Sequence, residues 1–160
     1  MKMLPTHKTD ITAILEWFKQ AKPNPTNEDA CVQIGCHYEE VAEMALVLSE
    51  HINDKGDMVD SMLNKVAATY KDKDDDNLEH LKTLFNSELV ELLDSLCDQI
   101  VTAIGVAYMM GFDIQGALNE VNRSNWSKFV DGKPIFNEQG KIAKPESYSQ
   151  PDLTNFIQAK

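Results

Sequence analysis

Up to about residue 130 the apolar side chains recur at helical spacing, and the period-two alternation a strand needs is almost absent. The strongest case runs from about Leu78 to Met110. There Leu81, Leu84, Phe85, Leu89, Leu92, Leu93, Leu96 and Ile100 fall on one inward-facing side of a long helix, with a break near Phe85–Ser87 as the alternative. Just past Asp98 the segment turns apolar nearly all round, through Ile100, Val101, Ala103, Ile104, Val106 and Ala107. Such a helix is central rather than a surface strut, so the chain is expected to be all-α.

Shorter helices flank this one. Ile11, Ile14, Leu15 and Phe18 predict a first helix over 9–21, stopped by the two prolines of KPNPT. Thr26 or Asn27 caps a second helix, with Glu28 and Asp29 at the positive end of its dipole and a stripe of Ile34, Val41, Ala45, Leu48 and Ile52. It is expected to end near 53–56. A third spans Met58 to Tyr70, and KDKDDDN (71–77) reads as a solvated connection. Asp113 or a neighbour caps a fifth through about Val121. After Asn125, Gly and Pro punctuate two short runs, Lys133–Phe136 and Lys141–Lys144, around NEQG, which predicts a hairpin-like arm. The expected organisation is a single domain, with a five-helix bundle over 1–125 and a C-terminal arm over 126–160 that packs on the core or on a neighbouring subunit.

The net charge of −11 argues against a protein that binds nucleic acid through its whole surface, since phosphates are repelled. Residues 121–160 hold six of the 15 basic residues but four of the 26 acidic ones, so a mildly cationic tail follows an anionic body. MKMLPTHKTD has no apolar core of the kind a secretory signal needs, and the run around Ile100–Met110 is too short to cross a bilayer. Cys31, Cys36 and Cys97 form no CxxC and are expected to be reduced, mostly buried thiols. A cytoplasmic protein without membrane contact is the expectation.

Against this apolar background HYEEVAEMALVL (37–48) crowds Glu39, Glu40 and Glu43 onto one turn. Glu40 and Glu43 stand at i, i+3 and project from neighbouring positions. SELVELLDSLCDQI (87–100) repeats the spacing with Glu91 and Asp94, and Asp98 lies one further turn along. Two such pairs on facing helices can surround a hard divalent cation with oxygen ligands, as Mg²⁺ or Mn²⁺ requires. Spacing alone leaves this open against a solvated acidic face. DKDDDN is no calcium loop, because its sixth place is Asn77 and its twelfth Thr83. Neither a P-loop nor a GxGxxG is present.

EEVAEM (39–44) matches the EExxE signature, and ELLD (91–94) the ExxD signature, of the all-α nucleoside triphosphate pyrophosphohydrolases. The segment EVNRSNWSKFVDGKPIFNEQGKIAKPESYSQPDL (120–153) resembles the C-terminal part of MazG-like, phosphoribosyl-ATP pyrophosphohydrolase-like proteins. The likeness covers roughly residues 10–155. It implies a MazG-like helical fold and Mg²⁺-dependent hydrolysis of an NTP or dNTP to the monophosphate and pyrophosphate. It implies Glu40, Glu43, Glu91 and Asp94 as metal ligands, with Glu39 or Asp98 as a helper or further ligand and Glu43 as the carboxylate that orients water. Asn122, Arg123, Asn125 and Lys128 become phosphate-binding candidates, since arginine pairs with phosphate in a bidentate fork. Trp126, where the family usually has methionine, either stacks on a base or packs; Asn122 stands where histidine is common. A homodimer or homotetramer is implied, because the family completes its pocket against a second subunit. Phosphoribosyl-ATP or dUTP as substrate, or a non-enzymatic acidic helical interaction protein, are the alternatives.

Overall fold

The computed structural model describes residues 11–49 and 55–157. Its elements are α1 (Ile11–Ala21), α2 (Asn27–Ser49), α3 (Lys55–Lys71), α4 (Asp75–Thr83), α5 (Asn86–Met109), α6 (Ile114–Trp126), β1 (Phe129–Val130) and β2 (Lys133–Pro134). The all-α expectation holds, and no helix among the described residues is long and apolar enough to cross a membrane. Residues 9 and 10, and Ile52 with the expected end of the second helix, lie outside the described residues.

The chain forms two compact units. Of the described residues, one comprises 25–49, 55–84 and 137–141; the other comprises 11–24, 85–136 and 142–157.

In the first unit α2 packs along α3, and the buried line on α2 is Cys31, Val32, Gly35 and Ala42. This corrects the expected stripe: Ile34, Val41 and Ala45 are half-buried, and Leu48 is exposed. The reason is close approach. A Cβ on Gly35 would stand 2.7 Å from the Ala67 carbonyl oxygen and 2.7 Å from Cγ of Lys71, so only glycine lets the two backbones meet there. Small residues at a crossing contribute through contact rather than bulk, which a search for large apolar side chains overlooks.

The acidic run 74–76, expected as a solvated connection, instead starts α4. Asp74 caps it by accepting from the Asp76 backbone N–H at 3.0 Å, and Asp75 and Asp76 lie at the positive end of the helix dipole. The long helix expected from Leu78 is two helices. Leu84 is extended (ψ 128°), and the Glu88 carboxylate accepts from the Phe85 N–H at 2.8 Å, restarting the helix there. Among the described residues six α-helices result, against the expected five.

In the second unit Trp17 of α1 meets Phe129 of β1 at 5.9 Å, edge to face, and Trp126 meets the same ring at 5.2 Å. Asp113 caps α6 through the Gly116 N–H at 2.9 Å, as expected, but the helix runs on to Trp126 rather than stopping near Val121. β1 and β2 form an antiparallel hairpin around Asp131 and Gly132, both with positive φ (52° and 75°) as a two-residue turn of this kind requires. The expected run Lys133–Phe136 thus supplies β2 to a tighter hairpin before NEQG, and it meets the run Lys141–Lys144 at the bridge of Phe136 with Ile142 and through the Ala143 N–H, which donates to the Ile135 carbonyl at 2.7 Å.

The largest departure concerns α5. Its apolar side chains were expected to face inward, yet Leu93 is 62% exposed, Val101 66% and Met109 81%, and of its residues only Ala107 is buried. Cys97 is exposed as well, against the expectation of mostly buried thiols. Periodicity records that a surface is built to be covered; it does not record what covers it.

Candidate functional site

Glu39, half-buried, lies on the side of α2 that carries the buried line, one turn beyond Gly35 and just before Ala42. A carboxylate in that position needs compensation. Lys71, at the end of α3, supplies one ammonium 2.5 Å from Oε2, and Lys141 donates to the same oxygen at 2.8 Å. Beside this triad Tyr38 stacks on Tyr70 with ring centroids 6.0 Å apart. The hydrogen bonds from Lys141, then Lys71, hold the Glu39 carboxyl below the usual carboxylate range, while burial opposes them. Its stabilising contribution is therefore present above that range and lost as pH falls through the lowered value.

Glu40 and Glu43, by contrast, are exposed on α2, and Glu91, Asp94 and Asp98 are exposed on α5. No ion pair among the described residues engages any of these five. The two acidic pairs belong to different units, and among the described residues no three His, Cys, Asp or Glu side chains gather as a ready-made metal cluster. The donor chemistry nevertheless suits a hard cation: Mg²⁺ keeps several waters and asks the protein for only a few carboxylate oxygens.

On α6 the motif residues divide by task. Arg123 is forked onto Glu120, with Nε to Oε2 at 2.7 Å and an Nη to Oε1 at 2.6 Å. It also donates to Ser149 Oγ and the Gln150 carbonyl, while the Asp152 N–H donates to Glu120. Arg123 and Glu120 together staple the tail to α6. The bond from Arg123, and then that from the Asp152 backbone, pull the Glu120 carboxyl down to about 2. Because that value lies below the unfolded carboxylate range, the staple is intact above the range and lost only as pH falls towards about 2. Following the Asp152 amide by hydrogen exchange, we expect protection to persist at pH 4, where an unpaired glutamate is half protonated, and to disappear at pH 4 in Glu120→Gln.

Lys128 donates to Asn125 Oδ1 at 2.8 Å, with its ammonium 6.0 Å from the Trp17 ring and 5.9 Å from Tyr148. Asn122 is buried. Trp126 packs on Phe129, and its indole N–H, like that of Trp17, is buried with no hydrogen-bond partner among the described residues.

Lys71 and Lys141 were not singled out from the sequence. The legible signal was the line Cys31, Gly35, Glu39, Ala42: a carboxylate among small contact residues demands a cation from whatever packs against it. Which lysine answers is a matter of tertiary structure. Comparison with protein-family models, curated proteins and solved structures finds no match to this chain.

Proposed function

We propose that the chain is a Mg²⁺-dependent nucleoside triphosphate pyrophosphohydrolase of the all-α, MazG-like type, cleaving an NTP or dNTP to the monophosphate and pyrophosphate. The observation that carries this is the contrast within one helical turn. Glu39 is neutralised by two lysines, whereas Glu40 and Glu43 stand exposed and outside any ion pair among the described residues, matched by Glu91 and Asp94 on α5. Glu40 and Glu43 on α2, and Glu91 and Asp94 with Asp98 on α5, each offer carboxylate oxygens that would hold Mg²⁺, or Mn²⁺ in its place, and the ion would neutralise charge on the phosphate chain. Glu43 orients the attacking water and takes its proton, since Glu39 is committed to Lys71 and Lys141. Asn125 and Lys128 meet phosphate oxygens at the end of α6. Arg123 secures the tail beside them, and Asn122 and Trp126 support the site by packing.

The test is pyrophosphate release from each NTP and dNTP, dUTP included, and from phosphoribosyl-ATP, with Mg²⁺ and with chelator. A thermal-shift scan over Mg²⁺ and Mn²⁺ accompanies it. Turnover on none of these, with no metal-dependent stabilisation, removes the hydrolase and leaves an acidic helical interaction protein.

The exposed apolar side chains of α5 support a homo-oligomer in which a second copy covers that helix. Light scattering is expected to give at least twice the 18.0 kDa of one chain. Leu93→Lys combined with Val101→Glu is expected to reduce the mass to that of a single chain, and an unchanged mass would remove α5 from the interface.

A further inference from the structure

The body of this protein is anionic, yet lysines converge on one of its corners. Lys71 and Lys141 share a single carboxylate oxygen of Glu39. Lys73, which has positive φ (54°) just past α3, places Nζ 3.9 Å from where a Cβ on Gly140 would stand. Three ammonium groups thus lie around the 137–141 loop, with one carboxylate bonded to two of them. An ammonium has three donors and Glu39 takes one from each partner, so donor capacity remains after the ion pairs form.

Two features set the geometry of the corner. The 137–141 loop is closed on Asn137, whose N–H donates to the Lys141 carbonyl at 2.9 Å while its Oδ1 accepts from the Lys141 N–H at 2.9 Å. Gly35 seats α3 against α2 and so fixes Lys71 opposite Glu39. Lys71 is the deeper anchor, its side chain 13% exposed, and Lys141 is the more accessible at 42%. Glu40 is the next residue along α2, and Asp72 and Asp74 flank Lys73 in sequence. The corner therefore adjoins an acidic pair without merging into it.

Within the pyrophosphohydrolase reading, on which this rests, we propose that Lys71 and Lys141, with Lys73 beside them, receive the terminal phosphates of the substrate and the departing pyrophosphate. Glu39 is the positioning residue that assembles them. The chemistry is complementary. A triphosphate carries more negative charge than a divalent ion neutralises, and lysine binds phosphate as a point charge at a fixed place. The same geometry gives Glu39 a structural charge to carry and no proton to move.

The experiment measures binding of inorganic tripolyphosphate by calorimetry in Mg²⁺, beside steady-state kinetics, for the wild type, Lys141→Met, Lys141→Arg and Glu39→Gln. Lys141→Met is expected to weaken tripolyphosphate about tenfold and to raise KM by a similar factor, the effect of losing one charge-assisted hydrogen bond. Its kcat/KM should fall by at least the same factor. Lys141→Arg should recover most of the affinity, and Glu39→Gln should keep kcat within about tenfold while altering KM. Unchanged tripolyphosphate affinity in Lys141→Met, even with a lowered Tm, overturns the proposal, because a purely structural triad predicts that result. Loss of turnover in Glu39→Gln with intact tripolyphosphate binding also overturns it and makes Glu39 the base. If no nucleotide is turned over, tripolyphosphate binding that depends on Lys141 still sustains the anion corner while the hydrolase falls. If the wild type binds no tripolyphosphate, the corner falls and turnover alone judges the hydrolase.

Discussion

Glu43→Gln and Asp94→Asn are each expected to lower pyrophosphate release at least ~100-fold, the scale seen when a group that stabilises transition-state charge is removed. Both replacements keep the shape of the side chain and delete its charge. Both positions are exposed, so folding should be untouched, with stability within about 0.5 kcal/mol of the parent. Removing one of several clustered carboxylates relieves repulsion, which pushes Tm slightly upward if it moves at all. The stabilisation that Mg²⁺ confers in a thermal-shift scan should shrink in parallel, because a ligand stabilises only in proportion to its binding. The two substitutions are made on separate helices, so they probe the two acidic motifs independently. Full turnover in both variants would sink the assignment of the site. Loss in one alone would confine the chemistry to that helix.

Gly35→Val is expected to destabilise the protein by about 2 kcal/mol, the balance of two opposed effects. Valine in place of glycine raises helix propensity by several tenths of a kcal/mol. Against this, its Cβ would stand 2.7 Å from the Ala67 carbonyl oxygen, an atom of the backbone that moves only if α3 moves. Overpacking of this kind costs about 1–3 kcal/mol, and the two γ-methyl groups place valine at the upper end. For a chain of this length the loss corresponds to a Tm lower by roughly 4–8 °C, read by circular dichroism at 222 nm. The same displacement carries Lys71 away from Glu39, since Lys71 N and Cγ are the other atoms the new Cβ would meet. A variant that melts with the parent would mean that α2 and α3 do not touch at Gly35.

The helices themselves were legible because burial of one face imposes a 3.6-residue period on the sequence. The starts at Asn27 and Ile114 were legible because the capping residues Thr26 and Asp113 precede them. The division between α4 and α5 was read only as an alternative. Its determinant is a local hydrogen bond, Glu88 to the Phe85 N–H, and not a change in hydrophobic pattern. The first turn of α4 was missed for a related reason: Asp74, Asp75 and Asp76 look solvated by composition, yet they are placed as a cap and two dipole partners. At the candidate site the motif spacing picked out Glu39, Glu40 and Glu43 together. Their separation into one neutralised and two exposed carboxylates came from which side of α2 meets α3.

What the amino-acid sequence determined by itself was local: where helices run, which carboxylates share a turn, and that α5 carries an apolar surface meant for cover. Period and capping act within a few residues, so they survive translation into structure without knowledge of partners. Tertiary structure alone decided that Glu39 belongs to Lys71 and Lys141, at sequence separations of 32 and 102 residues, and that Arg123 holds the tail through Glu120. Ion pairs carry no periodicity and no sequence signature. They form where close packing, here through Gly35 and the closed loop at Asn137, brings a half-buried charge within reach of its complement.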